Sequence, residues 1–449
     1  MRTPHILPWM RVMKFGGTSV GNAESIQAVC AIVRSALKAR PVVVVSAVAG
    51  VTNALIKLAK TTSATERVRA QKGIRRTHEK ILKDLRLDPT LLENEFNELA
   101  DLSKKTKKQD KKTLDHFVSF GERLSAQIVG AALQKMGVSS EALPAWEIGM
   151  ITNDEFGDAT PLPASPALIK KKISALKVVP VVTGYIGKTR KGRITTLGRG
   201  GSDYTAAIIG AAIHAEVIQI WKEVDGFMTT DPRLVPEARI VPELAFEEAS
   251  ELAYFGAKVL HPRTMLPAMK AGVPVQILNT FNPKEKGTMI VSNFNERKKS
   301  SRVIDALTYR KNITVIHIYS PMFFDGNKII ADIFDLFGDY NVNIGDIALS
   351  VASVSLVMDS NEPLPRQVRS GLQKMGDVTI DTRKAAICVV GGSINTAGVA
   401  GRMFSVLEKN RIHVEMIAQA SAGYSITFLV KKKDAEKAVK MLHKAYISV

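Results

Sequence analysis

Cysteine is almost missing from this chain, with Cys30 and Cys388 the only two in 449 residues. The first lies in a helix-like stretch, Ala28 to Val33, and the second in a strand-like one, Ala386 to Val390. Two lone thiols in apolar settings are expected to be small core residues, not a disulfide or a metal pair. Long apolar runs are missing too: none approaches the roughly 20 residues needed to span a bilayer. The stretch Met1 to Met10 holds Pro4 and Pro8 and has no apolar core or cleavage pattern, so it is not a secretion signal. It is also short for an organelle transit peptide. The expectation is a cytoplasmic protein with a loose extension before its first strand. Aromatics are sparse at 6%, and none interleaves with the densest basic run, Lys104, Lys105, Lys107, Lys108, Lys111 and Lys112, as a stacking platform for single-stranded nucleic acid requires. Asp101, Asp110 and Asp115 dilute that run, which is expected to be a solvated face. No nucleic-acid or membrane partner is expected.

Acidic residues are also in deficit, 43 against 62 Lys and Arg, for a formal net charge of +19. Such a balance suits anionic substrates. Hydrophobic residues make up 45% and charged residues 23%, enough to build full cores. The length points to two or three domains.

Residues 11–60 have the pattern strand, glycine turn, helix, strand. Val12 to Phe15 is a short strand, Gly16-Gly17 breaks it, Ala23 to Ala39 has helical spacing, and Pro41-Val42-Val43-Val44-Val45 is a β-branched run suited to a parallel strand buried on both faces. This is a β-α-β unit with a right-handed crossover. A helix is expected over Leu114 to Gln134, a strand over Val178 to Gly184, a small-residue helix over Tyr204 to His214 and a strand over Glu216 to Trp221. Together these form a large α/β domain with a mainly parallel sheet, residues 11–295. The polar stretch Asn293 to Arg302 is the expected linker. Beyond it a β-α-β-β-α pattern occurs twice, in residues 303–382 and 383–449, each a ferredoxin-like half-sandwich. In both passes an asparagine, Asn341 or Asn410, stands at a helix end where the left-handed conformation is expected.

Two glycine turns carry the chemistry. In Lys14-Phe15-Gly16-Gly17-Thr18-Ser19, paired glycines between a strand and a helix would let backbone N–H groups approach phosphate, with Lys14 supplying charge to the transferring oxygens. The lysine precedes the glycines, so this is not a Walker A loop, and the dinucleotide spacing is absent. Taken alone, the segment also fits a tight turn beside a surface lysine. In Thr196-Leu197-Gly198-Arg199-Gly200-Gly201-Ser202-Asp203, Arg199 is a planar fork suited to a carboxylate. Ser202 and Asp203 stand where simple helix capping is the plainer alternative.

These two segments, with Phe117-Val118-Ser119-Phe120-Gly121-Glu122, Thr229-Thr230-Asp231-Pro232-Arg233 and Gly256-Ala257-Lys258-Val259-Leu260-His261-Pro262, strongly resemble the aspartokinases from about Val12 to the end. The resemblance implies an amino-acid kinase fold, a three-layer α/β sandwich, followed by two ACT domains. It also implies ATP-dependent phosphorylation of the aspartate β-carboxylate to 4-phospho-aspartate, the first step toward lysine, threonine and methionine. By that pattern Lys14 stabilises the transferring phosphoryl group, Ser46 and Thr52 contact aspartate, Glu122 holds its α-ammonium and Arg199 its α-carboxylate. Gly200, Gly201, Ser202 and Asp203 complete the substrate side. Lys14, Phe15, Gly16, Gly17, Lys222, Glu223, Met228, Arg233, Lys258 and Val259 form the nucleotide side, and Mg²⁺ rides on the ATP phosphates. No general base is needed, because a carboxylate is already ionised at neutral pH.

One departure stands in Trp221-Lys222-Glu223-Val224-Asp225-Gly226-Phe227-Met228, where many relatives have Thr-Asp in place of Lys222-Glu223 and Tyr in place of Met228. His116 and His261 are expected to be structural hydrogen-bonding groups. The tail resembles ACT domains that bind amino acids and pair across a homodimer or larger assembly. Lysine is the expected effector, although Asp325 to Asp332 lacks the glycine turn of lysine-inhibited relatives, and Gly345 and Val351 replace common acids. The second unit, with Gly398 to Arg402 and Val414 to Ser421, keeps the pattern better. No fused homoserine dehydrogenase is expected after it. The competing expectations are another amino-acid kinase, a sensor without turnover and, last, a nucleic-acid binder.

Overall fold

The structure is a computed structural model that describes residues 10–106, 110–257, 259–291, 303–321, 323, 328–361, 363–419 and 423–447. The expected linker Asn293 to Arg302, the extension before Met10, Lys107 and Lys108 of the basic run, Lys258, and Asp325 to Asn327 lie outside these residues. The chain divides into two compact units: Met1–Phe227 with Pro242–Phe246 and Val259–Arg297, and Met228–Val241 with Glu247–Lys258 and Lys298–Val449.

An eight-stranded sheet organises the first unit. Its spatial order is Ser140–Leu143, Val179–Thr183, Pro41–Val45, Arg11–Phe15, Val217–Lys222, Val275–Asn279, Thr288–Val291 and Glu243–Ala245. All neighbours are parallel except Val275–Asn279 against Thr288–Val291. Every residue of Pro41–Val45 and of Val179–Thr183 is buried, as a parallel strand covered by helices on both faces requires. The expected β-α-β unit is present, with the helix Ala23–Ser35 joining adjacent parallel strands. Asn22 caps that helix by accepting from Ser25 N–H, and Asp110 caps Lys111–Lys135 by accepting from Thr113 N–H, each satisfying an otherwise unpaired donor. The Lys111–Lys135 helix brings Phe117, Phe120, Leu124 and Ile128 onto Met13, Phe15, Val43 and Val45 in one core.

Register aligns the strand ends. Phe15 lies opposite both Val45 and Trp221, Val45 opposite Thr183, and Asn279 opposite Lys222. The loops leaving these strands therefore gather at the carboxyl edge of the sheet, where open α/β sheets place ligand sites. A small second sheet, Ile151–Thr152, Ile186–Thr189 and Ile194–Thr196, ends where the second glycine turn begins.

The second unit contains both ferredoxin-like passes. The strands Ile313–Tyr319, Ile347–Leu349 and Ser353–Asp359 form one antiparallel sheet, completed by Asp377–Asp381 after the helix Arg366–Met375. In the other, Lys384–Val390, Met416–Gln419 and Ser425–Lys431 are completed by Ala306–Arg310, from the start of residues 303–382. This second sheet thus reaches across the division at 382/383 drawn from sequence, whereas the first stays within it. Each sheet has its own core, Ile316, Ile333, Leu356 and Leu372 in one and Ile387, Met403, Phe428 and Val439 in the other. Of the two helix-end asparagines, Asn341 is left-handed, with φ of 52°. At the second end Asn410 stays at φ −94° and Arg411 takes the left-handed place at φ 60°.

Candidate active site

Lys14 is the penultimate residue of the strand Arg11–Phe15 and only 5% exposed. Its ammonium stands 2.6 Å from Asp203 Oδ1. Asp203 lies in the first turn of the helix Gly201–Ile213, but it does not cap it: the N-cap is Gly200, without a side-chain bond. Its other oxygen accepts from Lys222 Nζ at 3.0 Å, and Lys222 also donates to the Val259 carbonyl at 2.5 Å. The capping alternative is therefore excluded for Asp203. Burial pushes its carboxyl up, but the two ammonium groups outweigh burial and hold it at about 2. Burial in turn lowers Lys14 against the opposing pull of Asp203. Two cations share one anion, leaving one net positive charge at the carboxyl edge of the sheet.

Beside this triad opens a cavity of about 500 Å³. Lys14, Gly17, Ser46, Thr52, Glu122 and Arg199 to Asp203 all line it, so residues from distant stretches of sequence converge there. Gly198 and Gly200 hold φ of +74° and +70°, the left-handed region that glycine tolerates, and the double turn leaves Arg199 between them at the cavity. Glu122, on the helix Lys111–Lys135, is 3% exposed, and its Oε2 has no hydrogen-bond partner. Burial pushes its carboxyl up to about 8, although Ala47 N–H, its own N–H and the Lys14 charge pull the other way. An unpaired buried carboxyl of this kind is costly unless a cation joins it.

The first glycine turn differs from its expected form. Gly16 N–H donates to Trp221 O at 3.1 Å, so this donor is committed within the protein. Gly17 is dictated by packing: a Cβ there would stand 2.9 Å from the Ala47 carbonyl. Phe15 is fully buried and stacks on Trp221 with ring centroids 5.9 Å apart, presenting no side chain to the cavity. Glu223 is exposed and adds a favourable charge to Lys14. Lys222 and Val259 meet directly, as described. Met228 and Arg233 belong to the second unit, where Arg233 is 89% exposed at its side chain and pairs with Asp231 at 2.7 Å.

His116 stacks on Phe120 and lies 3.4 Å from Glu98, a structural role. At His261 the carbonyl, rather than the ring, is the bonding group: it accepts from Thr264 Oγ1 at 2.6 Å while Nδ1 is buried without a partner. Burial and then the Arg199 and Arg263 charges lower its pKa, which keeps the ring neutral. Sequence reasoning missed Ala47 to Gly50, Gly157 and Tyr185, which also line the cavity. Tyr185 carries a trace of its role in the pattern, since it follows Gly184 at the end of a buried strand, with φ of 66°.

Comparison with known proteins decides the family. The amino acid kinase family model matches residues 9–279 and an ACT domain model residues 387–446. Aspartokinase 1, chloroplastic, of Arabidopsis thaliana is 35% identical over 97% of this chain and 80% of its own length. The chain belongs to the aspartokinase family. Lysine-sensitive aspartokinase 3 of Escherichia coli (strain K12) is 34% identical over 96% of this chain and 98% of its own. The crystal structure of E. coli aspartokinase III in complex with aspartate and ADP, an R-state, superimposes with a TM-score of 0.82 at 32% identity, covering 97% of this chain and 99% of that one. A T-state of the same enzyme with lysine and aspartate gives 0.81 at 32% identity, covering 98% and 99%. Among the described residues of this family member no helix is long and apolar enough to cross a membrane, and no group of three or more His, Cys, Asp and Glu could hold a metal.

Proposed function

We propose that this aspartokinase-family chain transfers the γ-phosphoryl group of ATP to the β-carboxylate of L-aspartate in the cavity beside Lys14. The observation that carries this reading is the convergence of opposite charges: unpaired Glu122, Arg199 and the Lys14–Asp203–Lys222 triad at one carboxyl edge. Glu122 takes the α-ammonium and Arg199 the α-carboxylate, with Ser46, Thr52 and Ser202 supplying hydroxyls. The β-carboxylate is left as nucleophile, ionised without a base. Lys14 and Lys222, held by Asp203, present the net positive charge to the phosphoryl oxygens as they gain charge, so positioning and electrostatics carry the catalysis. Mg²⁺ enters with the nucleotide and neutralises its phosphates.

Feedback by lysine is proposed from the lysine-sensitive relative and the lysine-bound T-state neighbour. A homodimer is proposed through the second unit, because the strands Ile347–Leu349 and Met416–Gln419, which lie beside each other in that unit, carry the exposed apolar side chains of Ile347, Leu349 and Ile417. The test is ATP-dependent trapping of the acyl phosphate with hydroxylamine, using aspartate, glutamate as control, and lysine titrated in. Hydroxamate from aspartate and little from glutamate is expected, with inhibition by lysine. No product at millimolar aspartate would overturn the reading.

A further inference from the structure

The helix Lys111–Lys135 carries a second buried carboxylate. Asp115 precedes Glu122 by seven residues, two helical turns or roughly 10 Å along the axis, and the two therefore share a face. Asp115 is 2% exposed and is not part of the cavity wall. Its Oδ2 accepts from Gly157 N–H at 2.9 Å and from Thr196 N–H at 2.9 Å, and its Oδ1 accepts from Thr196 Oγ1 at 2.8 Å. Burial raises this carboxyl against the pull of these donors.

Both partners lead directly to the cavity. Gly157 lines it. Thr196 ends the strand Ile194–Thr196 and stands three residues before Arg199. The Thr196 carbonyl accepts from Ala159 N–H at 2.8 Å, and Leu197 N–H donates to the Tyr185 carbonyl at 2.9 Å, so two loops of the cavity wall are closed on each other as well as on Asp115. Beyond Leu197 the chain enters the left-handed glycines at 198 and 200, which supply no stiffness of their own. The last anchors before Arg199 are therefore this carboxylate, at Thr196, and the Leu197–Tyr185 bond.

We propose that Asp115 is a positioning residue that fixes the separation between Glu122 and the Arg199 loop, and thereby the length of amino acid the site accepts. The inference rests on the reading of this cavity as the aspartate site. Glu122 and Asp115 ride on one helix, so the ammonium clamp and the anchor of the carboxylate clamp move together. Discrimination against a substrate one methylene longer is at best roughly 10–200-fold in such a site. It survives only while the walls cannot yield, and a misplacement of about 1 Å costs on the order of 100-fold.

The experiment compares wild type, D115N and T196V with aspartate, glutamate and ATP varied in turn, alongside thermal unfolding. D115N keeps the volume but replaces the charged acceptor of the two backbone N–H groups by a neutral amide oxygen and turns its N–H₂ toward the Thr196 hydroxyl, which must then accept instead of donate. The expected result is a KM for aspartate raised roughly 10–100-fold, a KM for ATP within about threefold of wild type, and an aspartate-to-glutamate ratio of kcat/KM narrowed about tenfold. T196V removes the hydroxyl's bonds to Asp115 and to Tyr185 and keeps both backbone bonds to the carboxylate, so it gives a smaller change in the same direction and decides the matter if D115N fails to fold. Unchanged aspartate KM and unchanged selectivity in the folded variants, or equal rises in both KM values, overturn the proposal. Absence of aspartate turnover in wild type overturns instead the reading on which it rests.

Discussion

Replacing Glu122 by glutamine separates two effects of one buried carboxyl. In the ligand-free protein Glu122 is held at about 8 against an ordinary 4.5, chiefly by burial. The folded chain therefore keeps a proton that the unfolded chain releases between these values, and stability falls as pH rises through that window. At 1.36 kcal/mol per pH unit, the loss between pH 4.5 and pH 7 is about 3 kcal/mol. Glutamine cannot ionise, so Glu122→Gln is expected to be more stable than wild type at pH 7 by about that amount and near parity at pH 5. Aspartate binding has the opposite requirement. Its ammonium needs the carboxylate, so Glu122 releases its proton on binding, and aspartate affinity rises close to tenfold per pH unit from pH 6 to about 8 before levelling. Glu122→Gln loses a charge-assisted bond of about 1.5–3 kcal/mol, roughly 10–100-fold in affinity at pH 8, and loses the pH slope with it. Denaturant unfolding and initial rates with aspartate varied, both across pH 5 to 9, measure the two effects. A flat aspartate KM in wild type, or an unchanged KM in the variant, would refute the assignment of Glu122 to the ammonium.

Three further outcomes follow from the same geometry. Lys222→Met removes one of the two cations on Asp203, and kcat/KM for ATP is expected to fall roughly 100-fold while the KM for aspartate changes little, as read from initial rates. Gly200→Ala forces a side chain into φ of +70° and places its Cβ 2.8 Å from Thr264 Cγ2. A loss of about 1–2 kcal/mol in unfolding free energy and a raised aspartate KM are expected. In the second unit, burial lifts Glu251 to about 7, with help from the Asp346 charge, and lifts Asp346 to about 6. Acids raised on folding stabilise below their unfolded pKa and lose that contribution as pH rises through the folded one, so stability should decline between about pH 4 and pH 7, and Glu251→Gln should flatten that decline in a denaturant series.

Local pattern carried much of the fold. The valine run at 41–45 announced a strand buried on both faces, and the paired glycines marked the breaks between strand and helix. The two ferredoxin-like passes were visible as a repeat, but the exchange of Ala306–Arg310 into the second sheet was not, because strand partners are chosen by long-range packing and leave no local signature. At the site, Lys14, Glu122, Arg199 and Asp203 could be named from motifs. The role of Asp203 could not be read locally, since capping and ion pairing ask for the same residue at a helix start. The reason for Gly17 was also hidden, because the carbonyl it makes room for comes from Ala47. Asp115 looked like dilution of a basic run, and only the fold shows its carboxylate pinned between Gly157 and Thr196.

The most direct test of phosphoryl transfer at this site is phosphorus NMR of wild type and Lys14→Ala incubated in parallel with ATP and aspartate. Wild type is expected to give an acyl-phosphate resonance that depends on aspartate, and Lys14→Ala to form it roughly 100–1,000 times more slowly. An acyl-phosphate signal of equal rate in the two proteins would contradict the placement of the reaction beside Lys14.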